Sequence, residues 1–267
     1  MKVYIGSSIW RQVEARHNLA LVPLLRDERF TYSPIIGDAW IERSRSISAT
    51  NFLENSDCDI HLSIDSDITD FTLDDTLAMC ELAMTDDMVG GMYMTRSPER
   101  TFPTSLLFRD KPMVFDPRKH YAEPVKYLAT GYVATHRRVF EKLAEGMTKL
   151  HEKDGARSYY PFYWPIGTLS EEGDPIGLSE DWAFSKRVTD AGFGVNIDPA
   201  IRIGHISTML YRIEDMFYDP VKPHIVQLTR GEGTKWNLRS VPEPESRQVK
   251  RARKRSEAKV PSGALTS

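Results

Sequence analysis

The sequence predicts an α/β fold, in which short buried strands alternate with helices. Four apolar runs, at residues 3–6, 61–64, 88–94 and 129–134, have the length and composition of buried strands. Apolar residues at helical spacing lie between several of these runs, and this alternation is typical of an α/β sandwich. A chain of 267 residues that is 40% hydrophobic can bury one substantial core, so we expect one domain followed by a tail.

The first strand and the first helix are predicted near the N-terminus. Residues 3–6 form the strand, which stops at the small residues Ser7 and Ser8. A helix follows, and Pro23 disturbs it. Its apolar residues keep helical spacing: Trp10, Val13, His17 and Leu21.

Two further helices flank the strand at residues 61–64. The earlier one ends in the turn Asn55-Ser56-Asp57, and Thr72 is the predicted N-cap of the later one. Residues 88–94 then form a strand with a glycine pair that allows close approach of backbone or ligand. The apolar residues of the two helices are Ala39, Ile41, Ile47, Ala49, Phe52 and Leu53, then Leu73, Leu77, Met79, Leu82 and Ala83.

The second half of the chain begins irregularly and then returns to regular structure. Short strands are predicted near residues 106–108 and 113–115, a strand at 129–134 and a helix from Arg138 to Leu143. Residues 158–179 form a long segment with many aromatic residues, and long segments without regular structure are usually functional or disordered. Because aromatic residues argue against disorder, we expect this segment to close over a ligand, to cover the core or to form an oligomer contact.

The C-terminal segment has a charge opposite to that of the rest of the chain. Residues 247–259 carry seven basic residues and one acid, which leaves 28 basic against 37 acidic residues in the remainder. The segment has few apolar residues, so we predict a basic, disordered tail at 241–267 after a folded domain at 1–240. The basic run at 247–259 is a candidate contact for a polyanion such as nucleic acid.

Composition argues against several classes of protein. Cys58 and Cys80 are the only cysteines and form no Cys-x-x-Cys or Cys/His cluster, so neither a disulfide framework nor a structural zinc site is predicted. No apolar run reaches the roughly 18 residues of a membrane span, and the N-terminus does not resemble a signal peptide. We therefore expect a cytoplasmic protein without a transmembrane segment.

The acids Asp65 and Asp67 form the most informative motif. They follow directly on the strand at 61–64, and alternate positions of a strand face the same side, so both carboxylates can point into one site. Mg²⁺ and Mn²⁺ prefer such oxygen ligands and usually keep waters and substrate phosphate oxygens in their shell. A second pair, Asp57 and Asp59, lies in turn-like sequence, where a solvated loop is the better interpretation.

Two further polar features follow nearer the end of the domain. Ser179 is a predicted N-cap, and Glu180 and Asp181 occupy the first turn of the helix that it begins. Acids at that position are ordinary complements of the helix dipole, although the same carboxylates could act in catalysis. His205 follows the apolar residues 201–204, and it is either a metal ligand or a histidine satisfied in the core or at the surface.

The order of these motifs resembles that of the GT-A fold glycosyltransferases, which use nucleotide-sugar donors. The resemblance covers roughly residues 1–210 and looks closest to small single-domain enzymes of tailed bacteriophages and some bacteria. It implies a Rossmann-like mixed sheet flanked by helices, and an enzyme in the cytoplasm of a bacterial or phage-infected host cell. The matching segments are Asp65-Ser66-Asp67, Ser179-Glu180-Asp181, His205, Arg45, Gly91-Met92-Tyr93 and Thr130-Gly131-Tyr132.

The resemblance also implies a role for each of these residues. Asp67 and His205 ligate Mn²⁺ or Mg²⁺, and Asp65 contacts the metal or the nucleotide ribose. Asp181 is the general base of an inverting transfer or a carboxylate that orients the sugar, with Glu180 beside it. The other residues implied to contact the nucleotide-sugar donor are Ser7, Ser8, Arg45, Gly91 and Gly131. The chain has Ser46 where many inverting members have Asn.

Three other functions remain open on the sequence. A glycoside hydrolase also uses two carboxylates, but it would leave Asp65, Asp67 and His205 unexplained. A metal-dependent phosphoryl-transfer enzyme could place Asp65, Asp67 and Asp181 around two metal ions. A catalytically inactive GT-A-like binding module would have the basic tail as its working part. For a transferase, the acceptors to test are a modified DNA base, a protein and a glycan.

Overall fold

The computed structural model describes residues 1–96, 101–107, 113–153, 155, 157–206, 210, 211, 213, 225–230 and 236–241. Apart from residue 241, the predicted tail at 241–267 lies outside the described residues, and so does the basic run at 247–259. Over the described part of the chain, no helix has both the length and the apolar character needed to cross a bilayer.

Five helices and a larger number of short strands make up the described residues. The helices are α1 (Ala15–Leu25), α2 (Ile41–Asn55), α3 (Leu73–Asp86), α4 (Arg137–Glu145) and α5 (Glu180–Asp190). The strands are β1 (Val3–Ile9), β2 (Phe30–Ile36), β3 (Ile60–Ile64), β4 (Ile68–Thr69), β5 (Met88–Met92), β6 (Ser105–Leu106), β7 (Met113–Phe115), β8 (Glu123–Tyr127), β9 (Tyr132–His136), β10 (Leu150–His151), β11 (Ser158–Tyr159), β12 (Ile166–Leu169), β13 (Pro175–Leu178), β14 (Val195–Arg202), β15 (Gly204–Ile206), β16 (Leu210–Tyr211), β17 (Ile225–Arg230) and β18 (Trp236–Val241).

A mixed sheet is the centre of the fold, and in the described residues it has eight strands in the order β2-β1-β3-β9-β5-β14-β8-β6. β1 pairs in parallel with both β2 and β3, and β14 pairs in parallel with β5. β9 lies between β3 and β5 and is antiparallel to both. The predicted fold class, a Rossmann-like mixed α/β sheet flanked by helices, is confirmed.

The helices cover both faces of this sheet. On one face, α2, α4 and α5 bury Phe52, Phe140 and Phe184 in a common core. On the other face, α1 and α3 bury Leu24 and Met79. The chain passes from β1 through α1 to β2 and returns through α2 to β3. Such strand–helix–strand crossovers are right-handed. These two run in opposite directions across the sheet, so they place α1 and α2 on opposite faces.

Helix α1 differs from its predicted extent. It begins at Ala15, so Trp10 and Val13 precede it, and it continues past Pro23 to Leu25. Pro23 lies on the exposed side of the helix, where water can solvate the carbonyl that loses its hydrogen bond. The buried side chains of Leu21 and Leu24 hold the last turn against the core.

The aromatic segment at 158–179 contains more regular structure than predicted. β12 and β13 pair as an antiparallel hairpin within it. Phe162 and Tyr163 are buried in the core, and the Tyr163 ring stacks on Phe184 with a centroid distance of 4.2 Å. These two aromatic residues therefore cover the core, which is one of the expected roles of the segment.

Several local predictions are confirmed. The Thr72 hydroxyl accepts a hydrogen bond from the Asp75 amide (3.1 Å) and caps α3. Asp57 is exposed beside Lys2 in the loop between α2 and β3, as expected of a solvated pair. Cys58 and Cys80 are buried free thiols.

Candidate functional site

Most of the predicted site residues gather outside the carboxyl ends of β1 and β3. The connection that leaves β1 leads to β2 on one side, and the connection that leaves β3 leads through α3 to β5 on the other side. Neighbouring strands whose connections leave in opposite directions open a crevice beyond their ends, where ligands of α/β sheets usually bind. Ser8, in the last part of β1, and Asp65, directly after β3, lie at this crevice.

A cleft of about 510 Å³ opens at this point of the sheet. The first turns of α2 and α5 and the short strand β15 complete its walls. Seven of the ten residues predicted for the site line it: Ser8, Arg45, Asp65, Asp67, Glu180, Asp181 and His205.

Asp65 and Asp67 reach the cleft from a turn and not from a strand. β3 ends at Ile64, and the Ile68 amide donates to the Asp65 carbonyl (3.0 Å), which closes the turn. The two carboxylates do share one cleft, as expected. The expected cause, alternate positions on a strand, is wrong. Both side chains line the cleft, but Asp65 contacts Arg45 whereas Asp67 lies beside His205.

Arg45 joins the acids of the two predicted motifs. Its guanidinium donates through Nη2 to Asp65 Oδ2 (2.7 Å) and through Nη1 to Glu180 Oε1 (3.2 Å). Nη1 also donates to Asp181 Oδ1. Arg45 is only 5% exposed. A buried guanidinium in contact with three carboxylates fixes their orientation, because its donors have a rigid, planar geometry.

This cluster has more negative than positive charge. Burial raises the pKa of Asp65 to about 6, against the opposing effect of Arg45, and the nearby carboxylates of Asp67 and Asp181 add to the rise. Burial and the neighbouring Asp181 also raise the pKa of Glu180. Burial alone would lower the pKa of Arg45, but the surrounding carboxylates outweigh burial and raise it. A further cation in the cleft would balance the excess negative charge.

Buried groups from two loops support the carboxylates. Thr130 donates its hydroxyl to Asp181 Oδ1, the same oxygen that Arg45 contacts. The Asp65 amide donates to the Gly131 carbonyl (2.9 Å), and the Gly131 amide donates to the Tyr93 hydroxyl (3.1 Å). A Cβ at position 131 would lie 2.6 Å from that hydroxyl, so glycine leaves the space that Tyr93 occupies.

Asp67 lies between two nitrogen-bearing side chains. Arg96 Nη1 donates to Asp67 Oδ2 (2.7 Å), and His205 Nε2 is 3.6 Å from the same oxygen. Burial alone would raise the pKa of Asp67, but His205 and Arg96 outweigh burial and lower it. His205 is placed by the pairing of β15 with β4, which directly follows the turn that carries Asp67.

Asp67 and His205 fit a hard divalent cation. With metal–ligand distances of about 2.1 Å, two donor atoms 3.6 Å apart can both reach one ion. His205 Nδ1 donates to the Met94 carbonyl (2.8 Å), so Nε2 is the ring nitrogen left to bind a metal, the arrangement usual for metal-ligating histidine. Among the residues that the structure describes, no three His, Cys, Asp or Glu side chains form a metal-binding group. Water and phosphate oxygens would therefore supply most of the ligands.

Three of the predicted residues do not line the cleft. Ser7 is fully buried. A Cβ at Gly91 would lie 2.8 Å from Ile201 Cγ2 and 3.0 Å from Tyr132 Cδ1, so this glycine admits core side chains and not a ligand. Gly131 supports the site from behind, through Tyr93 and Asp65.

Ser46, the departure from the family pattern, also faces away from the cleft. It is fully buried, and its hydroxyl oxygen accepts a hydrogen bond from the Tyr163 amide (3.1 Å). The residue therefore ties the aromatic segment to α2.

Sequence reasoning missed Tyr93, Thr130 and Arg96 as site residues. Tyr93 and Thr130 belong to segments that the family resemblance had included, so a signal was present although no role was assigned. Arg96 follows β5 in a stretch without periodicity, and its importance depends on its contact with Asp67, 29 residues away. No pattern in the sequence indicates that contact.

Comparison with known proteins supports the fold. No protein-family model and no curated protein sequence matches the chain. Among solved structures, the crystal structure of A197 from STIV matches with a TM-score of 0.51 and 15% sequence identity, over 84% of this chain and all of that one. At this identity the likeness shows a shared fold and no more. Fold and site together define an α/β protein with an acidic cleft at the carboxyl ends of its central strands.

Proposed function

We propose that the chain is a glycosyltransferase of the GT-A type, which moves a sugar from a nucleoside-diphosphate donor with Mn²⁺ or Mg²⁺ as cofactor. The observation that carries the proposal is the convergence of separate motifs on one cleft. Asp65 and Asp67 follow β3, Glu180 and Asp181 begin α5, and His205 lies on β15, yet all five line the same cavity.

Asp67 and His205 would hold the cation. Bound there, the metal supplies Lewis-acid neutralisation of the charge that develops on the departing diphosphate. The two protein ligands leave room for water and phosphate oxygens, as Mg²⁺ and Mn²⁺ sites with phosphate substrates require. Asp65 lies two residues before Asp67 in the same turn and could contact the donor ribose, or the metal through a water.

Asp181 is the proposed general base. Its Oδ1 is engaged by Arg45 and Thr130, so Oδ2 is the oxygen through which it would accept the proton of an acceptor hydroxyl. The N-terminal end of the α5 dipole stabilises the negative charge on this carboxylate. Base assistance of this kind typically contributes on the order of a hundred- to ten-thousandfold in rate.

Arg45 has a positioning role in this proposal. The sequence resemblance implied a contact with the nucleotide or diphosphate, but the guanidinium is buried and already holds Asp65, Glu180 and Asp181. A phosphate could reach it only by displacing one of these carboxylates. Arg45 therefore acts on the donor through the acids that it orients.

The alternative functions have less support in the geometry. Two-metal phosphoryl transfer needs a larger set of ligands, and the described residues contain no group of three potential metal-binding side chains. A glycoside hydrolase would give Asp67 and His205 no role. A catalytically inactive binding module would share the whole site, so only an activity measurement separates it from a transferase.

A screen of nucleotide-sugar hydrolysis with Mn²⁺, with Mg²⁺ and with EDTA tests the proposal. Transferases hydrolyse their donor slowly when no acceptor is present. We therefore expect release of nucleoside diphosphate from one donor with metal and none with EDTA. The donor found in this way can then be offered together with DNA, protein and glycan acceptors. Failure to hydrolyse any donor in a broad panel would favour the inactive binding module.

A further inference from the structure

Arg96 is a cationic side chain in the cleft for which the proposed transfer has no role. Its Nη1 lies 2.7 Å from Asp67 Oδ2, and His205 Nε2 lies 3.6 Å from the same oxygen. Asp67 Oδ2 is also the oxygen that a metal bound to His205 would use. The guanidinium and the metal would therefore meet at one carboxylate oxygen.

We propose that Arg96 is an internal counter-ion that exchanges with the metal. In the free protein it neutralises Asp67; when Mn²⁺ or Mg²⁺ takes that oxygen, the released guanidinium binds the diphosphate of the donor. This inference rests on the proposed function, because it requires the metal site and a diphosphate ligand.

The exposure of the two cleft arginines shows which of them can move. The Arg45 side chain is 6% exposed and held by three carboxylates, whereas the Arg96 side chain is 48% exposed at the rim. Because its guanidinium is half exposed, Arg96 can recover its hydration when it leaves Asp67, whose own side chain is 24% exposed. Without a cation, however, the carboxylate of Asp67 would keep its contact with His205 but lose that with Arg96, beside the acids around Arg45, which is unfavourable.

The place of Arg96 suits its second role. Arg96 lines both the cleft and an adjoining pocket of about 520 Å³, and the two cavities share Trp10, Ser66 and Asp67. A guanidinium released from Asp67 therefore stays within reach of a ligand in the cleft. Arginine can bind phosphate oxygens with two parallel hydrogen bonds, which makes a diphosphate a suitable new partner.

Two affinities of the variant Arg96→Ala test the exchange, and both are measured on the full chain. The Mn²⁺ affinity of the free protein is followed by electron paramagnetic resonance of unbound Mn²⁺, and pyrophosphate binding at saturating Mn²⁺ by calorimetry with a protein-free blank. We expect Mn²⁺ to bind several-fold more tightly, because its competitor is gone. Pyrophosphate should bind about tenfold more weakly, because a charge-assisted hydrogen bond is lost.

Arg11→Ala is the matched control. Arg11 lines the adjoining pocket and lies over the Trp10 ring, 5.5 Å from its centroid, so its loss removes the same charge from the same region. We expect both affinities of Arg11→Ala to remain close to those of the wild type. A melting curve of each variant shows that the fold is intact.

Equal Mn²⁺ affinities in Arg96→Ala and Arg11→Ala, or unchanged pyrophosphate binding in Arg96→Ala, would overturn the exchange. Neither result would affect donor hydrolysis by the wild type, so the transferase proposal would stand. If the two affinities shift in opposite directions but the wild type hydrolyses no nucleotide sugar, the exchange stands and the transferase proposal fails. If none of the three proteins binds Mn²⁺, the exchange fails together with the metal site.

Discussion

At the scale of single residues, the cleft is organised by the contacts of Arg45. This side chain binds carboxylates that lie 20, 135 and 136 positions away in the chain. Asp181 also accepts a hydrogen bond from a second buried donor, the Thr130 hydroxyl. Two donors on Oδ1 restrict the rotation of the carboxylate, which is the condition for Oδ2 to act as a positioned base.

The proposed role of Asp181 as general base leads to a first prediction. Asp181→Asn keeps the shape of the side chain but cannot accept a proton, so donor hydrolysis or transfer should fall by a hundredfold or more, on the order expected for general-base catalysis. Donor affinity, measured by calorimetry, should change little. Asp190→Asn, an exposed carboxylate at the other end of α5, is the control and should be fully active.

Two results would count against that assignment. Loss of donor affinity together with turnover in Asp181→Asn would indicate that the residue serves to hold Arg45 and the start of α5. Normal turnover would remove Asp181 from the mechanism.

At the scale of elements, the entry to β9 supports the site from behind. Gly131 precedes this strand, and its carbonyl and amide bind the Asp65 amide and the Tyr93 hydroxyl. Its lack of a side chain matters because an added Cβ would lie 2.6 Å from the Tyr93 hydroxyl and 3.1 Å from Asp65 Oδ2. The strand entry thus sets the position of the turn that carries the acids.

Gly131→Ala should therefore displace Tyr93 and Asp65. Overpacking of this kind costs about 1–3 kcal/mol of stability, and we expect donor hydrolysis to fall although the protein still folds. Gly167→Ala, in the exposed hairpin β12–β13, is the control, since no atom lies within 4 Å of its added Cβ. Urea unfolding and hydrolysis rates of the two variants provide the comparison, and equal behaviour of both would contradict the supporting role of Gly131.

Sequence patterns predicted elements better than contacts. The strand before Asp65 and the helix that begins at Glu180 depend on local periodicity, and the cap at Thr72 depends on residue type, both of which a sequence displays directly. Ser179 occupies the N-cap position of α5 as predicted, but its side chain makes no cap hydrogen bond. The hairpin β12–β13 has little such signal, because its strands are short and mostly exposed.

The site itself was predicted in composition but not in connectivity. The acids, Arg45 and His205 were expected, whereas the binding of three carboxylates by one arginine depends on how the fold brings α2, the start of α5 and the turn after β3 together. The same holds for Arg96, whose contact with Asp67 joins the end of β5 to the turn after β3. Such pairs are determined by tertiary structure, which one sequence does not reveal.

At the scale of the whole molecule, a buried histidine links stability to pH. His61 on β3 is enclosed by Tyr4, Phe52 and Phe140, and burial lowers its pKa to about 3. Between pH 3 and its ordinary pKa of 6.5, the unfolded chain binds a proton that the folded chain does not. Stability from this group is therefore complete above pH 6.5 and falls as the pH decreases.

We expect His61→Leu to flatten this pH dependence. Protonation of His61 in the unfolded chain lowers the free energy of unfolding by as much as about 2 kcal/mol between pH 6.5 and pH 5. The variant should lose that part of the pH dependence in urea unfolding at pH 7, 6 and 5. Burial also lowers the pKa of His17, so some slope should remain. The exposed His151→Gln is the control, and an unchanged slope in His61→Leu would contradict the prediction.

The basic run at 247–259 lies outside the described residues, but its charge leads to a prediction about the full-length chain. Deletion of residues 247–267 should leave folding and donor hydrolysis unchanged, because the segment contains few core-forming residues. If the acceptor is DNA, the deletion should weaken DNA binding and reduce its salt dependence. Binding of both forms at two salt concentrations is the measurement, and identical salt slopes would argue against a DNA-binding tail.

The central claim is that the cleft binds a diphosphate through a metal held by Asp67, and calorimetry tests it most directly. A panel of nucleoside diphosphates is titrated into the wild type and Asp67→Ala, with Mn²⁺ and with EDTA. Removal of one hard ligand from a site with few protein ligands should sharply weaken the cation and the diphosphate that it bridges. We predict that Mn²⁺ increases the affinity of the wild type for at least one diphosphate by about tenfold or more, and that Asp67→Ala shows no such increase. The same gain with Mn²⁺ in Asp67→Ala would contradict the claim.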